Sequence, residues 1–217
     1  MTALTIVVGN KNYSSWSLRA WLAVVLTGAE FEEVVIPLYE DGSRERIRQY
    51  NPAGLVPVLI DGKTAVWDSL AISEYLAERY PDAGLWPADD LARARARSVV
   101  CEMHAGFAAL RAHLPMNIRG RFTGREIPDE IQAQIDRIAA IWHDCRSTFG
   151  SGGPFLFGAP SLADAAFAPV VTRFDTFAVR VDEASAAYCA TIRDWAPMRA
   201  WTEAAVAEPW TVDYAEF

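Results

Sequence analysis

With 217 residues, 52% of them hydrophobic and 22% charged, the chain has the composition of a globular protein, which excludes an intrinsically disordered one. A net charge of −8 excludes general attraction to nucleic acid, which needs clustered Lys and Arg; Arg93, Arg95 and Arg97, interleaved with alanine, read as a solvated helix face. No apolar run nears the ~20 residues that cross a bilayer, and residues 1–9 lack the basic start of a secretion signal. No membrane association is expected. Cys101, Cys145 and Cys189 are widely spaced, which gives neither a disulfide framework nor a zinc site. Reduced, mostly buried thiols in a cytoplasmic protein without metal are expected.

The first eighty residues alternate strand and helix signals. Residues 4–9 form a β-branched run closed by Gly9-Asn10, the mark of a buried strand. Several hydroxyl residues at 14–17 can cap a helix over 18–26, which ends at Thr27-Gly28. Residues 31–37 are strand-like, and 43–50 form a short polar helix closed by Asn51-Pro52. Strands at 57–60 and 65–67, split by Asp61-Gly62, make a hairpin. Ser69 opens a helix with Ile72, Tyr75, Leu76 and Arg79 at helical spacing, ending before Pro81. The order β-α-β-α-β-β-α predicts a mixed sheet with helices on its faces.

Residues 81–90 hold three turn-forming points (Pro81-Asp82, Gly84 and Pro87) and form a linker between domains at 1–80 and 91–217. Beyond it strand signals nearly vanish. One long helix is predicted over 91–114, with Val99, Met103, Phe107 and Leu110 on a stripe. Another covers 131–149, a third opens at Ser161, and 188–208 hold one or two more. The second domain is expected to be an all-helical bundle.

Four motifs carry chemistry. Ser14-Ser15-Trp16-Ser17 stands where a helix starts, and a helix start presents unpaired N–H groups and partial positive charge that favour an anion. Asn51-Pro52-Ala53-Gly54-Leu55-Val56-Pro57-Val58-Leu59 leads into a strand through a proline. Trp67-Asp68-Ser69 opens the third helix with residues that cap it. Ser161-Leu162-Ala163-Asp164 is a box-like cap with a folding role. In this order and spacing, over nearly the whole chain, the four resemble the cytosolic glutathione transferase family. The serine motif is similar to the Ser-Ser-Cys-Ser of zeta-class (maleylacetoacetate isomerase-like) enzymes, with Trp16 in place of cysteine.

The resemblance implies an α/β thioredoxin-like N-terminal domain followed by an all-α C-terminal domain, with glutathione as co-substrate and a homodimeric assembly. It implies that the anion at the first helix is the thiolate of glutathione. A thiol of pKa ~8.5 is only ~3% ionised at pH 7, and lowering it by two units takes ~2.7 kcal/mol. A hydroxyl donating to charged sulfur supplies roughly 1.5–3 kcal/mol, and a helix terminus about 0.3–2 kcal/mol. These suffice without a general base. Ser14 is the expected donor, with Ser15 the alternative, and Trp16 beside them. Cysteine at neither Ser14 nor Ser17 argues against thiol–disulfide exchange.

By the same resemblance, Val56 holds the cysteinyl part of glutathione through its backbone, ahead of a cis bond to Pro57. Asp68 suits the γ-glutamyl ammonium and Ser69 its carboxylate. The chain departs from the family just before Val56, where Leu55 stands in place of Gln, Lys or His. Arg44 or Arg48 is the expected substitute for the glycyl carboxylate, and Arg19 is another cation near the site. A small hydrophobic or acidic electrophile is expected between the first helix and the long fourth one, against Trp16, His104, Phe107, Arg111 and Arg173. Arg173 stands one turn before the position, here Thr176, where zeta enzymes carry an arginine for acidic substrates. The aromatic tail (Trp210, Tyr214, Phe217) is a candidate cover. Three activities are carried forward: conjugation of glutathione to electrophiles, glutathione-dependent cis–trans isomerisation of maleylacetoacetate type, and a non-catalytic transferase-like binding module.

Overall fold

Strand β1 (Leu4–Val8) lies inside the sheet of this computed structural model, which describes residues 4–217. Its β-branched side chains suit a pleated surface buried on both faces. Leu4, Ile6 and Val8 join one core with Leu18, Leu22, Leu59, Ile72 and Leu76. Val7 joins another with Ile36, Ile47 and Val58. β2 (Phe31–Val35) pairs parallel to β1, with Leu4 opposite Phe31. β3 (Val58–Asp61) pairs antiparallel to β1, with Ile6 opposite Leu59, and β4 (Thr64–Trp67) closes a hairpin with β3. The sheet order is β2-β1-β3-β4.

Helices α1 (Ser15–Leu26) and α3 (Ser69–Arg79) contribute to the first core, and α2 (Ser43–Arg48) contributes Ile47 to the second. The predicted order β-α-β-α-β-β-α is observed. After it come α4 (Asp90–Ala105), α5 (Ala108–His113), α6 (Asp129–Phe149), α7 (Leu162–Thr176), α8 (Glu183–Asp194) and α9 (Ala196–Ala207). This is a thioredoxin-like α/β unit followed by a helical one.

One helical expectation is corrected, and the choice between one and two helices near the end of the chain is resolved. The single helix over 91–114 is two, because Gly106 is extended and Phe107 adopts φ 56°. Glycine costs a helix about 1 kcal/mol, and the break lets the Phe107 ring enter the core. The 188–208 pattern, expected to hold one or two helices, holds two. The first starts earlier, at Glu183, where the Asp182 carboxylate accepts the N–H groups of Ala184 and Ser185, each at 3.0 Å. They part at Trp195, which is extended (ψ 125°) ahead of the Ala196-Pro197 start of α9.

Almost all of α7 is buried, and it packs against α1, α4 and α8. The Ser161 box forms at its start: the Asp164 carboxylate accepts the N–H of Ser161 at 2.9 Å and its hydroxyl at 3.0 Å. It also accepts the Leu156 N–H and the Tyr188 hydroxyl, both at 3.1 Å. One continuous core runs from β1 through α7 to α9, so the two units share an interior. Arg95 and Arg97 are half-exposed and pair with Asp144 and Glu74. Cys145 and Cys189 are buried and Cys101 is exposed; all three are free. Among the described residues no helix is long and apolar enough to cross a membrane, and no cluster of His, Cys, Asp and Glu is placed to hold a metal.

Candidate active site

The turn after β1 delivers Ser14 as the N-cap of α1 (φ −90°, ψ 91°). The Ser14 hydroxyl accepts the N–H of Ser17 at 3.3 Å and donates to the Ser17 hydroxyl at 2.7 Å. Ser17 in turn accepts the N–H of Gly9 at 3.0 Å, which ties the cap to the end of β1. Ser15, the first residue of α1, accepts from the Arg173 guanidinium at 3.3 Å. Both hydroxyls stand where the free amides of the helix gather positive potential.

Beside this helix start lies a cleft of 220 Å³ lined by Trp16, Asn51, Leu55, Val56, Pro57, Trp67, Asp68 and Ser69. The Val56–Pro57 bond is cis. Asn51 is fully buried; its side-chain amide donates to the Leu55 carbonyl at 2.9 Å and shapes the loop before Val56. Asp68 adopts φ 49°, costly for a residue with a Cβ and characteristic of functional sites. Its carboxylate caps α3 by accepting the N–H of Leu70 at 2.8 Å and lies 3.5 Å from His104 Nε2. Leu55 is 65% exposed at the rim. Gly54, at φ +66°, has no Cβ, and the Arg44 and Arg48 side chains lie over it: a Cβ there would meet Arg44 Cγ at 3.0 Å and Arg48 Cγ at 3.3 Å.

Cations gather around Trp16. The Arg19 guanidinium lies 4.5 Å from the indole centroid and that of Arg111 5.3 Å, while the His104 ring meets it edge-on at 5.1 Å. Arg19 and Arg173 are 5% and 4% exposed, and neither has a carboxylate within ion-pair distance among the described residues. Arg19 Nε donates to the Ala166 carbonyl at 2.9 Å, but its buried Nη2 has no partner. Arg173 donates to the Leu114 carbonyl at 2.8 Å as well as to Ser15. Burial, then repulsion by Arg173 and Arg111, holds the Arg19 guanidinium well below its ordinary range. Burial and Arg111 lower Arg173 to about 9. Such a group favours an incoming anion.

Two family models match the chain: the glutathione S-transferase N-terminal domain over residues 13–79 and its C-terminal domain over residues 89–204. The chain belongs to the glutathione S-transferase family. A Rattus norvegicus protein named maleylacetoacetate isomerase is 33% identical to this transferase over 76% of either chain. One of the same name from Pseudomonas aeruginosa is 29% identical over 78% of this chain and 81% of the relative. The holo structure of a maleyl pyruvate isomerase, described as a bacterial zeta-class glutathione S-transferase, shares the fold. Its TM-score is 0.68 at 21% identity, over 96% of this chain and all of that one.

The transferase brings Trp16, Leu55, Val56, Pro57, Asp68 and Ser69 to one cleft, with His104, Arg111 and Arg173 grouped about the helix start. Ser14 and Ser15, 7% and 6% exposed, precede the lining residue Trp16 in the chain and do not line the cleft itself. Phe107 packs into the core instead. Thr176 donates to the Asn117 and Thr172 carbonyls at 2.6 and 2.8 Å, a structural role. None of Trp210, Tyr214 and Phe217 lines the cleft: Tyr214 meets Tyr39 with ring centroids 5.5 Å apart, and Phe217 packs with Phe122 and Phe177. Asn51 and Trp67, the lining residues without an assigned role in the sequence, both lie inside its motifs. Arg19, Arg111 and Arg173 lie far apart in sequence, and only the closed fold reveals that they have no carboxylate in ion-pair distance among the described residues.

Proposed function

We propose that this glutathione S-transferase binds glutathione in the 220 Å³ cleft with its sulfur at the start of α1, and uses the thiolate on small electrophiles. The observation that carries this reading is that Val56, Pro57 and the Asp68-Ser69 helix start line one cleft with Trp16, two residues after the Ser14 N-cap of α1. Ser14 donates to the sulfur. Its present acceptor, the Ser17 hydroxyl, is neutral, and hydrogen bonds to charged groups are about twice as strong. Val56 pairs with the cysteinyl backbone, and Asp68 and Ser69 take the γ-glutamyl end. Arg44, lying over Gly54, meets the glycyl carboxylate in place of a donor at Leu55. In conjugation the thiolate attacks the electrophilic carbon, a C–S bond forms, and the leaving group departs with its electron pair.

The arginine group favours one variant. With Arg111 over Trp16 and Arg173 on Ser15, neither in an ion pair among the described residues, an electrophile carrying carboxylates is held at the α1–α7 junction. Thiolate addition to its double bond, rotation, and elimination then return glutathione unchanged, the isomerisation that the names of the two relatives describe. Rates with an aryl halide and with a maleyl-type diacid, each with and without glutathione, test both reactions. Glutathione binding without turnover of either would leave a binding module. The working assembly is a homodimer, to be checked by sedimentation equilibrium.

A further inference from the structure

The turn that carries Ser14, residues 9–14, is buried along its whole length. A buried turn must find partners for its own amides and carbonyls. Inside it, the Asn10 carbonyl accepts the N–H groups of Tyr13 at 3.2 Å and Ser14 at 2.8 Å, so the residues just before Ser14 fix where Ser14 stands. Those residues are held from the far end of the chain. One carboxylate oxygen of Glu208, just past α9, accepts the N–H of Lys11 at 2.7 Å, and the other accepts that of Asn12 at 3.0 Å. The Trp201 indole donates to the Lys11 carbonyl at 3.0 Å. The Arg119 guanidinium braces this arrangement by donating to the carbonyls of Glu208 and Trp210 and to the Tyr13 hydroxyl.

A single carboxylate spanning two successive amides fixes both in direction and distance, and bonds to a charged acceptor are stronger than neutral ones. Glu208 makes no ion pair among the described residues, so these amides are its close polar partners. Half-burial pushes its carboxyl up, and the two N–H groups oppose that shift.

We infer that Glu208 is a positioning residue for the thiolate site: its carboxylate holds the turn so that the Ser14 hydroxyl and the α1 amides converge on one point. This role rests on the reading of that point as the place of the sulfur. It makes the C-terminal segment part of what ionises the thiol.

Glu208→Gln keeps the shape of the side chain but turns an NH₂ toward one of the two amides. Two readouts decide the matter: amide hydrogen exchange of residues 9–14, and ultraviolet titration of the thiolate in the glutathione complex. In Glu208→Gln the turn exchanges roughly tenfold faster. The bound thiol's midpoint rises by about one unit, from the ~6.5 that a two-unit lowering gives to about 7.5, which lowers the thiolate fraction at pH 7 about threefold, with little change in glutathione affinity at about pH 5.5. A folded variant with an unmoved midpoint overturns the positioning role, whether or not exchange quickens. A wild-type midpoint equal to that of free glutathione rejects the thiolate reading and the role with it, and is told apart because it needs no variant. Should Glu208→Gln not fold, Arg119→Lys removes the brace and is expected to move both readouts the same way; an unmoved midpoint there overturns the role equally.

Discussion

Arg173 Nη2 donates to the Ser15 hydroxyl at 3.3 Å, joining α7 to the first residue of α1. The bond commits the Ser15 oxygen as an acceptor and sets a cation one residue from Ser14. The two neighbouring serines therefore have different tasks. Ser14→Ala is expected to lower kcat/KM with an aryl halide at pH 6.5 by about 10- to 150-fold, the loss of ~1.5–3 kcal/mol of bonding to charged sulfur. Ser15→Ala loses a contact to Arg173 and is expected to cost about fivefold or less. Steady-state rates of the two variants provide the check, and the reverse ranking would make Ser15 the donor.

Arg44→Ala is expected to raise KM for glutathione about tenfold with kcat nearly unchanged, the mark of lost uniform binding. Glutathione amidated at its glycyl end should bind wild type and variant alike. Gly54→Ala should follow the same trend, since its Cβ would come within 3.0 Å of Arg44 Cγ at a φ of +66°. If amidated glutathione still distinguishes wild type from Arg44→Ala, the arginine does not read that carboxylate.

Asp164 gives a pH dependence of stability. Burial raises its carboxyl from the ordinary 3.8 to about 6, against the opposing hydrogen bonds from Leu156, Ser161 and Tyr188. The folded state then favours the protonated acid, so this contribution is full below about pH 4 and is lost as pH rises through about 6, a span worth roughly 3 kcal/mol. Asp164→Asn lacks the titration. Denaturant unfolding at pH 4, 5, 6 and 7 should show wild type's margin over Asp164→Asn narrowing as pH rises. A margin that widens would mean the donors outweigh burial.

The thiols should separate cleanly. Burial pushes both Cys145 and Cys189 up to about 12, while Cys101 is exposed on α4. A disulfide reagent at pH 8 is expected to label one cysteine quickly, and the other two only on unfolding. Peptide mapping that finds either buried residue in the fast phase would contradict the packing of α6 or α8.

Much of this was legible in the sequence where local chemistry decides structure. Ser14 and Ser161 announce helix starts through their side chains, and the β-branched run at β1 announces a strand buried on both faces. The break in the helical stretch over 91–114 is not legible, because the apolar stripe continues across Gly106 and a periodic pattern does not register one residue turning to positive φ. Glu208 and Arg119 carry no local signal at all. Their partners lie 196 and 106 residues away, at Asn12 and Tyr13, and only the closed fold brings them together. The arginines around Trp16 are of the same kind: each is an ordinary helical residue until α7 docks on α1.

The indole of Trp16, with two guanidinium groups near its ring, is a natural optical probe. Nearby positive charge perturbs an excited indole, so an anion that draws Arg19 or Arg111 aside changes the emission without any added dye. With eight tryptophans in the chain, the signal is isolated by subtracting the spectrum of Trp16→Phe. Occupancy of the cationic side of the site then becomes readable in real time, separately from glutathione turnover.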